Sequence, residues 1–453
     1  MISLYDYQEL NYARIKEIFT YSRFAFNLSE LGSGKSIIGL KIGEDYDNIV
    51  VVSYPAVINQ NWIGLIQKYG LQKKIQTITI NSLRGRKNYK LNNDYLIRED
   101  IPLKQPVFKV TPYWKQICTS RTLLIIDEFQ MTKNKNIGAK AVKALIGTIL
   151  ESENSNILLM SGTPIDNIDQ IMNYLKLLNL IKKSRKFAAL KELIKDEEEI
   201  NCFNFDVKLV DYFKNNFLLK FSDKMSPFAR KIVGKLSYLT LGEREKELAS
   251  SEVQSLTTLC KKLETSGKLD SGDSLSIKQH LQNIELVKMP ELAVQIINLM
   301  CNTKKKIVIA LFYIKPIMML YKLLEKYKPQ LIIGETKNLE RTSIISRFQE
   351  DNLNCRLIIA NADIISTGIN LDDTTGLFPR ICFLSSNYKS MISHQLFYRF
   401  CRVTTKSTPE IKIIFCKDLN EDRVLEILNN KTKILKDFSS SSFYLSDFKQ
   451  EYL

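Results

Sequence analysis

Short apolar runs alternate with helical segments through the first part of the chain. Five of these runs lie before residue 165, and they are SRFAFN, NIVVVS, KIQTITI, TLLIID and NILLM. Runs of Val, Ile and Leu without polar alternation are typical of strands that are buried on both faces of a parallel sheet. Because each run leads into a helix-like segment without a hairpin signal, the pattern predicts a parallel, doubly wound α/β sheet.

The pattern changes between about residues 168 and 300, where charged helical segments dominate. Strand-like runs then resume and are again followed by helices; they are KIVIALFY, QLIIG, CRLIIA, RICFLS and EIKIIF. We therefore predict two α/β lobes, residues 1–225 and 226–453, and the second lobe opens with a helical segment at about 241–300. Residues 84–116 are basic and irregular, which indicates a surface excursion that is either solvated or in contact with nucleic acid.

The first strand-like run leads into a glycine-rich segment, Ser29–Leu40, with the residue types of a phosphate-binding loop. Gly32 and Gly34 permit backbone angles that other residues resist, so consecutive N–H groups can surround phosphate oxygens. In this motif the lysine, here Lys35, reaches the β- and γ-phosphates, and the next hydroxyl, here Ser36, coordinates Mg²⁺. The helix that begins there favours an anion at its N-terminus. On its own, the segment is also compatible with an ordinary glycine-rich turn.

Two acidic residues, Asp127 and Glu128, end the fourth strand-like run. The carboxyl end of a parallel strand is where open α/β sheets bind ligands. Phosphoryl transfer needs one carboxylate to hold Mg²⁺ and another to activate water, so we assign Asp127 to the metal and Glu128 to the water. Small and hydroxyl residues, Ser161 to Thr163, follow the next run and could bridge this site to a second ligand site.

Gln8 lies on a predicted helix at residues 3–19. A glutamine amide can pair with an adenine edge through two hydrogen bonds, which makes Gln8 a candidate nucleotide-binding residue. The other interpretation is a glutamine that faces solvent on an amphipathic helix.

Basic residues are in surplus along the chain. Lys and Arg total 65 against 49 Asp and Glu, which gives a net charge of +16 and a pI of about 9.2. This surplus favours a polyanionic partner, most simply nucleic acid, although genome base composition also produces chains rich in Lys, Asn and Ile. The 8 cysteines include no C-x-x-C pair and only 2 histidines accompany them, which argues against a zinc site.

Cysteine usage and hydropathy predict an intracellular, soluble protein of the cytoplasm or nucleus. Several cysteines lie within apolar runs, as small buried residues of a reducing compartment do. The longest apolar run, IVIALFYI at 307–314, is too short to cross a bilayer, so we expect no membrane partner. The first 19 residues carry charges throughout and lack the apolar core of a signal peptide.

Taken in order, these motifs resemble those of superfamily 2 helicase-like ATPases, and within them the Swi/Snf-type DNA translocases; poxvirus-like nucleoside triphosphatases belong to the same group. In the first lobe the matching segments are LYDYQ, SELGSGKS, VVVSYPAVINQNW, VTPY, DEFQMTKN and SGTPIDN. In the second lobe they are IVIALFYIKPIMMLYKLLEK, IIGETKNLERTSIISRF, ISTGINL and HQLFYRFCRV. The chain departs from the family at Lys220, where Arg is usual, and at Ile365 and Ser366, which replace paired glycines.

The resemblance implies two RecA-like lobes, with a helical segment between them, that face each other across ATP and Mg²⁺. The nucleotide-binding residues that it implies are Gln8, Gly32, Ser33, Gly34, Lys35, Ser36, Asp127 and Gly368, with Ser36 and Asp127 on the Mg²⁺. The catalytic residues that it implies are Lys35, Glu128, Gln395, Arg399 and Arg402. The two arginines would neutralise charge on the γ-phosphate. By spacing alone, they could instead be a surface pair on a helix.

The function that the resemblance implies is ATP hydrolysis coupled to movement along nucleic acid. Duplex DNA is the expected track, RNA stays open, and a transcription, replication or repair assembly is the expected setting. The compact length suits a viral or plasmid-borne member. Two alternatives remain. One is a strand-separating RNA or DNA helicase, although the sequence shows no wedge hairpin. The other is a non-hydrolysing nucleic-acid-binding subunit of a larger assembly.

Overall fold

The computed structural model describes residues 2–85, 93–181, 186–194, 200, 205–217, 232–266, 271–416, 421–438 and 443–453. The chain divides into two compact units, Met1–Pro227 with Lys433–Ser442 and Phe228–Thr432 with Phe443–Leu453. The boundary predicted at residues 225 and 226 lies outside the described residues, as does Lys220, so that boundary stays a prediction. Within the described ranges, none of the helices has the length and apolar character to span a membrane.

The first unit is built on a parallel sheet of five strands. Its strands, with those of a separate ribbon, are β1 (Phe24–Asn27), β2 (Asn48–Ser53), β3 (Ile75–Thr79), β4 (Leu96–Glu99), β5 (Val107–Val110), β6 (Thr122–Asp127) and β7 (Asn156–Met160). The sheet order is β1-β7-β6-β2-β3, and all of its pairings are parallel. Strands β4 and β5 form an antiparallel two-stranded ribbon.

Helices cover both faces of this sheet. They are α1 (Asp6–Tyr21), α2 (Lys35–Gly43), α3 (Pro55–Val57), α4 (Ile63–Lys68), α5 (Ile80–Arg84), α6 (Pro112–Ile117), α7 (Ile137–Glu151), α8 (Asp169–Leu177), α9 (Lys186–Ile194) and α10 (Phe205–Phe217). Side chains alternate along each strand, so Leu124 and Ile126 enter one core cluster while Leu123 and Ile125 enter the other. Burial on both faces explains why the strand runs are continuously apolar.

The second unit has a parallel sheet of seven strands. They are β8 (Val233–Leu239), β9 (Lys306–Leu311), β10 (Gln330–Ile332), β11 (Leu357–Asn361), β12 (Arg380–Ser385), β13 (Glu410–Cys416) and β14 (Lys449–Tyr452), in the order β10-β11-β9-β12-β13-β8-β14. Its helices are α11 (Glu243–Ser266), α12 (Ser271–Val287), α13 (Met289–Asn302), α14 (Ile314–Leu323), α15 (Asn338–Gln349), α16 (Ala362–Ile365), α17 (Ser390–Phe397) and α18 (Asp422–Phe438), and the residues of α18 from Lys433 onward belong to the first unit.

The predicted fold class, two parallel α/β sheets flanked by helices, is confirmed. Helices α11 to α13 lie where the helical segment was expected, at about 241–300, but strand β8 precedes them in the second unit. Four strands were missed. The β4–β5 ribbon lies inside the supposedly irregular residues 84–116, so the prediction that no hairpin interrupts the first lobe is wrong. The edge strands β8 and β14 were missed because neither VGKLSYL nor KQEY forms a continuous apolar run.

The core of the second unit contains a histidine, His394 on α17. Its ring lies among the rings of Phe397, Tyr398 and Tyr444, and only 3% of the residue is exposed. Burial lowers the pKa of His394 from 6.5 to about 3, because the charged imidazolium would lose its hydration there. The ring is therefore neutral in the folded protein near neutral pH.

This burial predicts that acid destabilises the protein through His394. The unfolded chain binds the proton below pH 6.5 and the folded chain only near pH 3, so stability falls as the pH drops through that window. Between pH 7 and pH 5 the loss from this one group is about 2 kcal/mol. His394→Phe should remove that part of the loss.

Urea unfolding gives the free energy of unfolding of wild type and His394→Phe at pH 7 and at pH 5. The contribution of His394 is the loss in wild type between the two pH values minus the loss in the variant. Other buried groups, such as Glu285, whose pKa is raised to about 7 by burial, titrate in the same range and cancel in this comparison. An equal loss of unfolding free energy in the two proteins would contradict the assignment.

Candidate active site

The carboxyl ends of neighbouring strands in the first unit meet at one edge of the sheet. In the parallel register Asn27 of β1 and Asp127 of β6 both pair with Met160 of β7, and Ser53 ends the adjacent strand β2. The glycine-rich loop follows β1, and the acidic pair ends β6. Parallel pairing therefore brings the two predicted motifs to the edge at which α/β sheets bind ligands.

The loop between β1 and α2 has the backbone that its glycines were predicted to supply. Gly32 and Gly34 adopt positive φ angles of 80° and 85°. A Cβ at Gly34 would also lie 2.3 Å from Nε2 of Gln8, so a side chain is excluded there by space as well as by conformation. Ser33 lies between the two glycines and is buried.

Polar contacts within the loop hold Lys35 and the serines. The Lys35 ammonium donates to the carbonyl oxygens of Ser29 at 3.0 Å and Glu30 at 3.1 Å. The Ser33 hydroxyl donates to the Ser29 hydroxyl at 3.1 Å. The Ser29 hydroxyl in turn donates to the Asn27 carboxamide oxygen at 2.6 Å. The chain of hydroxyls thereby connects the loop to the end of β1.

Gln8 is buried against this loop, at 2% exposure. Its carboxamide nitrogen donates to the Ser33 carbonyl at 2.8 Å, and its oxygen accepts the Tyr5 N–H at 3.0 Å. The alternative of a solvent-facing glutamine is therefore wrong. Adenine recognition by Gln8 stays a prediction, while the structure shows Gln8 hydrogen-bonded to the backbone of the loop.

Asp127 is held by three hydrogen bonds at the end of β6. The Trp62 indole N–H donates to one carboxylate oxygen at 2.8 Å, and the Glu128 N–H donates to the other at 3.0 Å. The Ser53 hydroxyl donates to the backbone carbonyl of Asp127 at 2.9 Å. Burial, and then the Glu128 charge, raise the pKa of Asp127 to about 7, while the Trp62 hydrogen bond and Lys35 oppose this rise.

Glu128 has a left-handed backbone, with φ 59° and ψ 48°. This conformation costs a residue other than glycine about 1–3 kcal/mol, and such strain clusters at functional sites. The Gln130 carboxamide donates to the Glu128 carboxylate, and the Glu128 carbonyl accepts the Met131 N–H at 3.0 Å. The turn after β6 is therefore fixed from both its backbone and its side chain.

The helical segment after β2 supplies two side chains to the site. A π-helical turn, Ile58–Trp62, separates α3 from α4, and such turns are frequent at functional sites. From this turn the Asn61 carboxamide donates to the Ser36 hydroxyl at 2.8 Å, and Trp62 reaches Asp127. Sequence reasoning placed Trp62 in a motif without a role and missed Asn61, because a single amide carries no pattern.

The loop after β7 packs directly against the glycine-rich loop. A Cβ at Gly162 would lie 2.4 Å from Cγ of Leu31, so the two loops approach as closely as glycine allows. The Ser161 hydroxyl accepts the Thr163 N–H at 3.0 Å, and both residues are fully buried. The close approach of Gly162 to Leu31 joins the loop after β7 to the glycine-rich loop. The expected role of these hydroxyls, to bridge the site to a second ligand site, stays a prediction.

The predicted residues of the second lobe lie together within the second unit. Helix α17 ends at Phe397, so Gln395 is helical while Arg399 and Arg402 follow in a turn, and the alternative of a surface pair on a helix is wrong. The Arg399 guanidinium donates through Nε to the Ser366 carbonyl at 2.6 Å. Gly368, which lies two residues after Ser366, has a φ of 77°.

The donor set at the first-unit edge fits a nucleotide phosphate with Mg²⁺. Hydroxyl and carboxylate oxygens, here Ser36 and Asp127, are the ligands that Mg²⁺ accepts, and it favours few protein ligands besides phosphate. A cation there would also favour the ionised form of Asp127, whose pKa is otherwise raised. The two left-handed glycines can turn N–H groups toward phosphate oxygens, and Lys35 supplies a positive charge.

No protein-family model matches the sequence, and no curated protein is significantly similar to it. Among solved structures, the chain is similar to the Sulfolobus solfataricus SWI2/SNF2 ATPase core in complex with dsDNA, at 16% identity and a TM-score of 0.33, over 97% of this chain and 93% of that chain. It is also similar to the C-terminal part of the Fun30 ATPase domain, at 14% identity and a TM-score of 0.34, over 44% of this chain and 89% of that chain.

If Asp127 holds Mg²⁺ for ATP hydrolysis, as the resemblance implies, its hydrogen bond from Trp62 predicts a metal-dependent defect in Trp62→Phe. Losing a hydrogen-bond partner of a metal ligand typically costs 10–100-fold in metal affinity or activity, so half-maximal ATP hydrolysis should require about tenfold more Mg²⁺. A magnesium titration at saturating ATP measures this shift.

Trp114→Phe is the matched control. Trp114 is equally buried in the same unit, but its indole N–H donates to the Leu145 carbonyl, at 3.4 Å, and not to the site. Equal magnesium requirements in Trp62→Phe and wild type would contradict the role given to Trp62.

Proposed function

We propose that this chain is an ATP hydrolase that acts on nucleic acid and moves along duplex DNA. One observation carries the proposal. The parallel register places a loop with two left-handed glycines and Lys35 at the same sheet edge as the buried Asp127–Glu128 pair. The motifs that resemble Swi/Snf-type translocases support the same function.

In this proposal the first unit binds the triphosphate through the loop backbone and Lys35. Ser36 and Asp127 would hold Mg²⁺, which when bound would neutralise charge at the phosphates. Trp62 and Asn61 keep the Asp127 carboxylate and the Ser36 hydroxyl in place. Binding and orientation thus depend on groups that are already hydrogen-bonded in the folded chain.

Glu128 is proposed to orient the attacking water and to accept its proton. The left-handed turn and Gln130 fix this carboxylate, which is the requirement for a general base. The second unit is proposed to contribute Arg399 and Arg402, whose charge would stabilise the transition state for phosphoryl transfer. Gln395, on the helix before them, keeps the catalytic role that the resemblance implies.

The nucleic acid partner is proposed from charge and from the motifs. A net charge of +16 provides the electrostatic attraction for a polyphosphate backbone, which supplies most of non-specific nucleic acid affinity. Phosphate contacts do not distinguish base sequences, as movement along a track requires. A transcription, replication or repair assembly remains the proposed setting.

The β4–β5 ribbon favours a second candidate function, a strand-separating helicase. The ribbon is an antiparallel hairpin, the element that a strand-separating helicase would use as a wedge. The connection between its strands carries Leu103, which is fully exposed, and Ile101, which is 39% exposed. An exposed apolar side chain at a hairpin tip could insert between bases. Unwinding of a forked duplex distinguishes this function from translocation alone.

The proposal predicts that nucleic acid stimulates ATP hydrolysis and that Glu128→Gln abolishes it. Loss of a general base costs about 10²–10⁴-fold, so phosphate release should fall at least a hundredfold while ATP binding persists. Phosphate release measured side by side with duplex DNA, single-stranded DNA and RNA identifies the track; we expect duplex DNA to stimulate most.

Glu151→Gln serves as the control, because Glu151 is an exposed carboxylate at the end of α7 in the same unit. Wild type without any ATPase activity would support the non-hydrolysing subunit instead. Full turnover in Glu128→Gln would remove Glu128 from its assigned role.

A further inference from the structure

The segment Phe443–Leu453 is attached to the second unit by its last strand. Strand β14 pairs in parallel with β8 at the edge of the sheet, from Lys449 opposite Lys235 to Tyr452 opposite Tyr238. Charged groups reinforce the pairing, because Glu451 accepts from Lys235 at 2.8 Å and forms an ion pair with Lys412 at 2.8 Å. This half of the segment is therefore anchored to the sheet.

The other half of the segment packs its rings against α17. The Tyr444 ring stacks on the His394 ring, with centroids 5.4 Å apart and planes 23° apart. Phe397 packs against two segment rings, with its centroid 5.9 Å from that of Phe443 and 5.1 Å from that of Phe448, and these two rings also contact each other at 5.2 Å. All of these contacts fall on the helix that carries Gln395.

The backbone of the segment also contacts the residue next to the first arginine. The Phe443 N–H donates to the Tyr398 hydroxyl at 3.2 Å, and Tyr398 directly precedes Arg399. The segment rings approach the sheet so closely that a Cβ at Gly234 would lie 2.7 Å from atoms of Phe443 and Phe448. Because Gly234 has no side chain, the two rings lie directly against the backbone of β8 at that point.

The turn that contains the arginines is tied on its other side to a different segment. Besides its bond to Ser366, Arg399 accepts the Leu371 N–H at its carbonyl, at 2.8 Å. The Arg402 N–H donates to the Thr405 hydroxyl at 2.6 Å, and that hydroxyl also contacts Asp372 at 3.2 Å. The arginine turn, residues 398–402, therefore lies between the Ser366–Asp372 stretch and the helix that Phe443–Leu453 covers.

We propose that the segment Phe443–Leu453 positions the arginine turn, with Tyr444 and Phe443 as the positioning residues. The proposal rests on the proposed function, because it is the catalytic use of Arg399 and Arg402 that makes their orientation matter. Removing a segment ring should let α17 and the turn after it move, while leaving the first-unit nucleotide contacts intact. Turnover should then fall without a matching loss of ATP affinity.

Each half of the segment offers a tyrosine for comparison, Tyr444, which is 8% exposed, and Tyr452, which is 65% exposed. Tyr444→Ala removes a ring stacked on α17, whereas Tyr452→Ala removes a ring stacked on Tyr238, at 5.4 Å, away from α17. Both variants lose one tyrosine ring from the same segment. Tyr444→Phe keeps the stacked ring, and Tyr444→Leu replaces Tyr444→Ala if the latter does not fold.

Two measurements test the proposal in the full chain. With duplex DNA present, Tyr444→Ala should lower kcat about tenfold or more, since small misplacements far from the chemistry have effects of that size, and KM for ATP should stay within about twofold. Without nucleotide, hydrogen exchange of peptides covering residues 390–402 should become about tenfold faster in Tyr444→Ala. Tyr452→Ala and Tyr444→Phe should match wild type in both measurements.

Unchanged exchange at residues 390–402 in Tyr444→Ala, or equal effects of Tyr444→Ala and Tyr452→Ala, would overturn the proposal. A KM that rises with kcat constant would also overturn it. If wild type hydrolyses no ATP, the proposed function fails by that result alone. The exchange comparison then still decides whether Tyr444 positions the arginine turn.

Discussion

The parallel register of β1, β7 and β6 is the constraint on which the first unit's site depends. Asn27 and Asp127 both pair with Met160, so the loop after one strand and the acids at the end of another meet at a single edge. This geometry needs strands that are buried on both faces, which the continuous apolar runs supply. A shift of one residue in the β6–β7 pairing would turn Asp127 toward the opposite face of the sheet, and a shift in the β1–β7 pairing would do the same to Asn27.

Burying two carboxylates at this edge is costly, and the surrounding groups show how the fold offsets the cost. Asp127 accepts hydrogen bonds from Trp62 and from the Glu128 backbone, while Gln130 donates to Glu128. The pKa of Asp127 nevertheless remains raised to about 7. A cation at this edge would favour the ionised form of Asp127.

Local sequence patterns predicted the buried strands, the glycine loop and the acidic pair, because each depends on neighbouring residues. The same patterns did not predict the features that depend on contacts between residues far apart in the sequence. Strand β14 is polar and forms because Glu451 meets Lys235 and Lys412, far away in sequence. Asn61 joins the site only because a π-helical turn precedes α4. Gln8 braces the loop because Gly34 has no side chain to exclude it.

Calorimetric titration of magnesium ATP into wild type and Lys35→Ala tests the central claim, that the loop after β1 binds a triphosphate. Hydrogen bonds to charged groups contribute about 1.5–3 kcal/mol, so Lys35→Ala should bind ATP at least about tenfold more weakly. The control is Lys41→Ala, in the same helix, where the lysine pairs with Glu44 at 2.7 Å. Wild-type affinity in Lys35→Ala, or equal losses in the two variants, would contradict the account.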